Sequence, residues 1–389
     1  MAFVFLFIAL AVLFFSHWAV YCFFIRVFRV QDKKEKTIWR VILLILSLSF
    51  IASSLIAHWQ ENILTKFFYI ISWLWPGLLV NLLLAIGIYW VAVLIFRALK
   101  IKLNAIFIGR IAIIMAIFYT CFGIFNVFFP RVKSITVKID NLPTEWQGKT
   151  IIQLSDLHLG RVLGKGFLER IVNKVNNLNP EAVAITGDLF DGMDGELSLF
   201  VEPLNNIKSA QGAYYVTGNH ETYLGVSEVL SVLEQTEINV LDDKIAEING
   251  LQIIGVSYPD FDGDKDIKKI IQSDENFNLN KPSILLYHSP TNIFSTWSNG
   301  DDSHGDIYWP SDVNFTIAKE LGIDLQLSGH THHGQIFPFG FITKLIYGNY
   351  DYGLHGKDGF AIYITSGTGI WGPIMRTGSR SEIVVITLQ

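Results

Sequence analysis

Apolar residues are distributed very unevenly along this chain of 389 residues, and this limits what it can fold into. Four long apolar runs lie in the first third of the chain, at about 2–25, 37–57, 67–96 and 107–130. A helix needs about 20 apolar residues to cross the hydrocarbon core of a bilayer, and each run reaches that length. The sequence therefore predicts a region of four transmembrane helices in residues 1–130 and a separate domain in residues 131–389.

Charge divides the chain in the same way. Residues 1–130 contain 11 Lys and Arg against 3 Asp and Glu, a net charge of +8. Residues 131–389 contain 19 basic and 32 acidic residues, a net charge of −13. No nucleic-acid partner is expected, because nucleic acids select basic surfaces. The second part is long enough for one well-cored domain, and no protein partner is predicted.

Three other interpretations of the apolar runs are weaker. A signal peptide would have basic residues before the first run and a small-residue cleavage site after it, and the sequence has neither. Four runs of this length rarely occur together in a soluble core. A transporter often has acidic groups along its ion pathway, and these runs contain no Asp or Glu. We therefore interpret the four helices as a membrane anchor.

Basic residues in the short loops predict the orientation of the chain. Lys and Arg are concentrated after the first run, at 26–40, and after the third run, at 97–110, whereas the loop at 58–66 contains only Lys66. Loops rich in Lys and Arg stay on the cytoplasmic side. We expect a multi-pass protein of the bacterial inner membrane with residues 131–389 outside the cytoplasm. Basic residues that follow the fourth run favour the opposite orientation more weakly.

Residues 131–389 alternate between short apolar runs and amphipathic segments, a pattern that predicts an α/β sheet. Strands are predicted at 150–155, 181–186, 213–217, 251–256, 283–288, 325–329, 361–367 and 383–388. Helices are predicted at 166–178, 226–235, 265–273 and 313–321, and loops at 298–306 and 340–360. Both cysteines, Cys22 and Cys121, lie in apolar runs, so a cysteine metal site or disulfide is excluded from this part.

Polar clusters follow five of the predicted strands. They are SDLH at 155–158, GDLFD at 187–191, GNHE at 218–221, His288, and GHTH at 329–332. Ligands of open α/β folds bind at the carboxyl ends of the strands, so we expect the clusters to meet at one rim. Asp, His and Asn supply the oxygen and nitrogen ligands that divalent metals prefer. Each cluster alone is common turn chemistry, but five in succession predict a metal site.

Together, these clusters resemble the sequence motifs of a known family. The series SDLHLG (155–160), GDLFD (187–191), GNHE (218–221), YHSP (287–290) and GHTHHGQ (329–335) resembles the calcineurin-like metallophosphoesterase family, and most closely its membrane-associated bacterial branch. The resemblance covers roughly residues 148–389, including a C-terminal block at 366–388. The family often has Gly-Gly where this chain has His333-Gly334, and Pro where it has Ser381. Neither difference removes a predicted ligand.

The resemblance implies a four-layer α/β/β/α sandwich with two divalent ions, Mn, Fe or Zn, at the strand ends. One ion would be bound by Asp156, His158, Asp188 and His332. The other would be bound by Asp188, Asn219, His288 and His330, so that Asp188 bridges the two. The catalytic residue His220 would face the phosphate.

Three further residues are weaker candidates for the site. Asp191 could orient a metal ligand, and His333 could alter the pocket. Arg376 could contact phosphate, although it is equally compatible with an ordinary surface arginine.

The implied reaction is hydrolysis of a phosphoester. Two metals about 3.5–4 Å apart would provide a metal-bound hydroxide and neutralise charge on the ester, and His220 could protonate the leaving oxygen. A membrane anchor favours a phosphodiester in a lipid or lipid-linked envelope component, with membrane lipids as partners. The alternatives are a soluble cyclic or dinucleotide substrate and, from another class, a metal-stabilised membrane scaffold without activity.

Overall fold

The computed structural model describes residues 2–59, 62–192, 196–259, 266–293, 311–357 and 359–389. The chain divides into two compact units. The first contains Met1–Phe125 with the segment Gly372–Thr377, and the second contains Asn126–Trp371 with Gly378–Gln389. The polar loop predicted at 298–306 lies outside the described residues.

Four long helices account for most of the first unit: α1 Ala2–Val27, α2 Lys33–Trp59, α3 Ile63–Ala98 and α4 Ala105–Phe128. Each is long and apolar enough to cross a membrane. The last three begin two to four residues before the predicted apolar runs, because the polar side chains of Asp32, Asn62 and Asn104 cap their first turns. At the start of α3, for example, the Asn62 side chain accepts hydrogen bonds from the N–H groups of Leu64 and Thr65 at 2.9 and 3.0 Å.

The first unit is apolar both inside and on its surface. Phe23 and Tyr89 pack in its core with ring centroids 5.0 Å apart, while Ile114 and Phe118 on α4 are 63% and 67% exposed. Helices that are apolar on all faces are typical of membrane spans. A buried hydrogen bond from Asn81 Nδ2 to Thr120 Oγ1, 2.8 Å long, joins α3 to α4.

The second unit alternates strands and helices. Its strands are β1 Arg131–Val137, β2 Thr150–Leu154, β3 Ala182–Thr186, β4 Ala213–Val216, β5 Asn239–Val240, β6 Lys244–Ile248, β7 Leu251–Val256, β8 Ser283–Tyr287, β9 Leu325–Ser328, β10 Gly353–Lys357, β11 Phe360–Ile364 and β12 Glu382–Leu388. Its helices are α5 Lys165–Asn176, α6 Val201–Asn205, α7 Asn219–Leu224, α8 Val226–Leu233, α9 Ile267–Ser273, α10 Thr316–Glu320 and α11 Gly340–Tyr347. All eight predicted strands and all four predicted helices are present.

The strands form two six-stranded sheets, in the orders β1-β12-β2-β3-β4-β5 and β10-β11-β9-β8-β7-β6. Apolar side chains from both sheets, such as Ile151 and Leu327, form one buried core between them. Helix α5 connects the parallel strands β2 and β3 and buries Phe167 and Ile171, and α9 and α10 pack on the outer face of the second sheet. The four-layer α/β/β/α architecture is therefore confirmed.

The prediction of a loop at 340–360 is wrong, because this segment contains α11 and β10. Two side chains of α11, Phe341 and Leu345, are 67% and 70% exposed, so the helix lacks the pattern of a core-facing element. Strand β1 was also not predicted. It lies at the edge of its sheet, is half-exposed and pairs in parallel with β12.

Candidate metal centre

The polar clusters converge at the carboxyl ends of parallel strands from both sheets. The predicted ligands are Asp156 and His158 after β2, Asp188 after β3, Asn219 after β4, His288 after β8, and His330 and His332 after β9. Strands β2, β3 and β4 run parallel in one sheet, and β8 and β9 run parallel in the other. Six of the seven residues are buried, and His330 is partly buried. The structure therefore brings all seven together.

One group of donors consists of Asp156, His158 and His332. Their ligand atoms lie within 4.8 Å of one another. His158 Nε2 is 3.0 Å from His332 Nε2, and His332 Nε2 is 3.4 Å from Asp156 Oδ1. The group could hold a metal ion.

A second group consists of Asp188, His288 and His330, again within 4.8 Å. His288 Nε2 is 3.2 Å from Asp188 Oδ2 and 3.2 Å from His330 Nδ1. His288 Nδ1 lies 2.8 Å from the Thr186 carbonyl oxygen, a hydrogen bond that leaves Nε2 free to act as a ligand. Asn219 Oδ1 is 2.9 Å from His330 Nδ1, which places the predicted amide ligand in the same group.

Asp188 lies next to both groups. Its Oδ2 is 3.7 Å from His158 Nε2 in the first group, in addition to its contact with His288 in the second. Its Oδ1 accepts the backbone N–H of His220 at 2.9 Å. A carboxylate in this position is suited to bridging two ions.

His220 and Asp191 stand beside His158. His220 Nδ1 lies 2.7 Å from the Asp191 carbonyl oxygen, and the rings of His220 and His158 are 4.5 Å apart. His158 Nδ1 is 3.6 Å from Asp191 Oδ1. His158, Asp191 and His220 form a third group that could hold a metal. The orienting role of Asp191 stays a prediction, since 3.6 Å is longer than a hydrogen bond.

The backbone at these strand ends is strained. Among the described residues, left-handed φ angles occur at Asp156 (52°), His158 (46°), Asp188 (49°), His330 (72°) and His332 (48°). Such angles at residues other than glycine cost about 1 kcal/mol or more each and tend to occur at functional sites. The chain holds these side chains in place at an energetic cost.

Glycines permit the close packing of the loops. A Cβ at Gly218 would collide with Asp188 Oδ1, and a Cβ at Gly329 would collide with Asp156 Oδ2. Both positions therefore need glycine because of their neighbours, as expected for the residues that precede Asn219 and His330.

Glu221 is a residue of the site that the sequence pattern did not single out. It is fully buried, and its carboxylate accepts the backbone N–H groups of Gly218, Asp188 and Phe190 at 2.6, 3.0 and 3.1 Å. It thereby fixes the loop after β3 to the loop after β4. Its position in the GNHE block could have indicated a role. The spacing alone, however, does not distinguish a carboxylate that binds loop backbone from an ordinary helix residue.

The electrostatics of the buried carboxylates fit cations. Burial raises the pKa of Asp156 to about 6, and Asp188 contributes in the same direction. Burial would also raise the pKa of Asp188, but His288, His220 and His158 outweigh it and hold this pKa well below its usual range. Burial raises the pKa of Asp191 to about 8. Divalent cations would compensate this concentration of negative charge.

The donor set also fits a metal on geometric grounds. Asp156 Oδ2 is buried and has no hydrogen-bond partner among the described residues, a condition that is rare in folded proteins and calls for an explanation. The Nε2 atoms of His158 and His332 face each other at 3.0 Å. A cation between these atoms would satisfy all of them.

Two of the weaker candidates, His333 and Arg376, have contacts of their own. His333 Nδ1 is 3.1 Å from Asp351 Oδ2, and the centroid of its ring lies 4.6 Å from that of Tyr352 with the two planes tilted by 31°. Arg376 is fully buried in the segment that belongs to the first unit, and its N–H donates to the Gly123 carbonyl at 2.9 Å. Their roles in the site stay predictions.

Known proteins are similar to this chain in sequence. Residues 149–334 match the family described as calcineurin-like phosphoesterase. An uncharacterized metallophosphoesterase of Campylobacter jejuni is 35% identical over 67% of this chain and 63% of its own length. One from Helicobacter pylori is 37% identical over 67% of this chain and 64% of its own.

A relative from Danio rerio bears the name "Transmembrane protein with metallophosphoesterase domain". It is 31% identical over 72% of this chain and 62% of its own length. The chain thus spans less than two thirds of each of these relatives. The second unit, with its two sheets and its strand-end Asp, Asn and His residues, belongs to the calcineurin-like phosphoesterase family.

Proposed function

We propose that this chain is a membrane-anchored phosphoesterase that uses two metal ions. The observation that carries the proposal is the convergence of seven Asp, Asn and His side chains into two groups that adjoin at Asp188. Asp156, His158 and His332 would bind one ion with Asp188. Asn219, His288 and His330 would bind the other with the same carboxylate.

Two divalent ions, Mn, Fe or Zn, would lower the pKa of a bound water and neutralise charge on the phosphate. Protein side chains would supply the proton transfer and the positioning. His220 anchors Nδ1 on the Asp191 carbonyl, which leaves Nε2 available to hold a proton for the leaving oxygen. Glu221 would keep Asp188 and Asn219 at fixed separation through the backbone groups that it binds.

We infer that the substrate is a phosphodiester of a lipid or lipid-linked envelope component in a bacterial inner membrane. Four helices able to cross a bilayer lie in the same chain and favour such a substrate. The distribution of Lys and Arg supports an extracytoplasmic catalytic domain. The phosphodiester should accumulate in cells that lack the protein, and lipid extraction of those cells measures it.

Activity can be tested with the full-length protein in lipid nanodiscs and bis(p-nitrophenyl) phosphate, with Mn²⁺ added. The wild type should hydrolyse the ester, and Asp188→Ala or His330→Ala should abolish hydrolysis. His355→Ala is a matched control, because this histidine contacts the Tyr352 carbonyl instead of the donor groups. Full activity in either site variant would contradict the two-metal assignment.

Sidedness requires a separate experiment. A reporter that is active only outside the cytoplasm can be fused after Gln389. An active fusion is expected, and a well-expressed but inactive fusion would reverse the predicted topology.

A further inference from the structure

An exposed apolar surface follows the last predicted ligand in the second unit. It consists of Phe337, Phe339, Phe341, Ile342 and Leu345, which are 43%, 43%, 67%, 52% and 70% exposed. We call these five side chains the α11 surface, since three of them lie on that helix and two immediately precede it. The rings of Phe337 and Phe341 are 6.1 Å apart. Five large apolar side chains exposed within nine residues are unusual for a domain in water.

Elsewhere in the described second unit, no stretch of nine residues contains five exposed large apolar side chains. Other exposed large apolar residues, such as Leu199 (48%) and Leu279 (57%), are separated along the chain, as is normal on soluble proteins. The exposed Lys344 lies between Ile342 and Leu345. Aromatic and aliphatic side chains next to a lysine are typical of helices that lie in the interface of an anionic bilayer.

The α11 surface is joined closely to the donor groups. It begins five residues after His332, and a Cβ at Gly334 would collide with the backbone of Gly340 at the start of α11. At the other end of the helix, the buried Tyr347 packs with its ring 6.1 Å from that of His330. A lipid held on this surface would therefore have its phosphate near the predicted metal ligands.

We propose that the α11 surface inserts into the headgroup region of the bilayer and presents lipid phosphoesters to the metal centre. This inference rests on the proposed function, and it specifies how that site would reach a lipid. The bilayer is the occupant that the chain favours, since only two residues separate the end of α4 at Phe128 from the start of β1 at Arg131. Lys344 would bind the lipid phosphates.

The contact can be measured by fluorescence quenching on the full-length protein in nanodiscs. Cys22 and Cys121 are replaced by Ser, and an environment-sensitive fluorophore is attached at Leu345→Cys or at the matched control Leu279→Cys. Nanodiscs that contain doxyl-labelled phosphatidylglycerol should quench the label at 345 several times more strongly than the label at 279. Equal quenching at the two positions would overturn the proposal. So would self-quenching at 345 that depends on protein concentration, because it would assign the surface to a second copy of the chain.

A second arm measures the use of lipid. The double variant Phe341→Gln/Leu345→Gln should lower the ratio of phosphatidylglycerol hydrolysis to bis(p-nitrophenyl) phosphate hydrolysis by about tenfold. The control Leu199→Gln/Leu279→Gln should keep the wild-type ratio. An unchanged ratio in the first variant would refute the presentation of lipid by this surface. If the wild type hydrolyses neither compound, the proposed function fails, while the quenching result still decides whether the surface meets the bilayer.

Discussion

The two units of this chain use apolar and polar residues in opposite ways. The helical unit exposes side chains such as Ile114 and Phe118 on its surface. The second unit buries its apolar residues between two sheets and also buries Asp156 and Asp188 at one rim. The first arrangement suits a lipid exterior, and the second suits a water exterior around a charged centre. The same substitution should therefore have different consequences in the two units.

The largest effect is expected in the charged centre. Asp188→Asn should lower the kcat for bis(p-nitrophenyl) phosphate by about 10³-fold or more, because a carboxylate shared by both groups is lost. Asp140→Asn is the control, since Asp140 is exposed and pairs with the exposed Lys138. Steady-state kinetics with added Mn²⁺ measure both. A kcat that falls tenfold or less in Asp188→Asn would indicate that this carboxylate is not shared by a catalytic metal centre.

The next prediction compares one substitution in both units. Ile114→Lys places a charge near the middle of α4 and should cost about 3 kcal/mol of membrane insertion. Leu279→Lys, at a position of similar exposure, should change stability by about 0.5 kcal/mol or less. Membrane fractionation measures the fraction of each variant that is inserted in the membrane. Equal insertion would indicate that α4 does not face lipid.

A third prediction concerns a buried carboxylate outside the donor groups. Glu382 accepts hydrogen bonds from Arg131 Nη2, Tyr352, Tyr363 and Thr365 at 3.0–3.1 Å. Glu382→Gln should therefore lower the free energy of unfolding by about 2 kcal/mol, measured by denaturant titration. The control is Glu247→Gln, whose carboxylate pairs with Lys281 at the surface.

The pH dependence follows from the same carboxylate. Burial would raise the pKa of Glu382, but hydrogen bonds from the Ser366 N–H and Arg131 outweigh it and lower the pKa. The stabilisation is thus present above the unfolded pKa of about 4.5 and is lost as the pH falls through the folded pKa. The difference in free energy of unfolding between the wild type and Glu382→Gln should become smaller as the solution is acidified. A difference that grows in acid would contradict a lowered pKa.

The smallest effect is expected at the support of the centre. Glu221→Gln should weaken metal binding and lower kcat by about tenfold, because one amide oxygen cannot accept all three backbone N–H groups. Glu228→Gln, on the exposed face of α8, is the control. Metal titration followed by calorimetry provides a readout separate from activity. Unchanged metal affinity would mean that the backbone alone holds the loops.

The sequence predicted what depends on periodicity and strand ends, and it missed what depends on distant neighbours. The donor residues were predicted because each follows a short apolar run with the length and composition of a buried strand. Glu221 and Glu382 were assigned no role, because their partners lie on other elements. Helix α11 was missed because its apolar residues face outward, whereas periodicity identifies helices that pack on a core.

The metal content of the purified full-length protein tests the central claim most directly. After incubation with Mn²⁺ and removal of the unbound ion, elemental analysis should find two ions per chain in the wild type. His288→Ala should retain about one ion, and Asp188→Ala should retain fewer than two. A wild-type chain that binds no ion, or an Asp188→Ala chain that still binds two, would contradict a metal centre shared through Asp188.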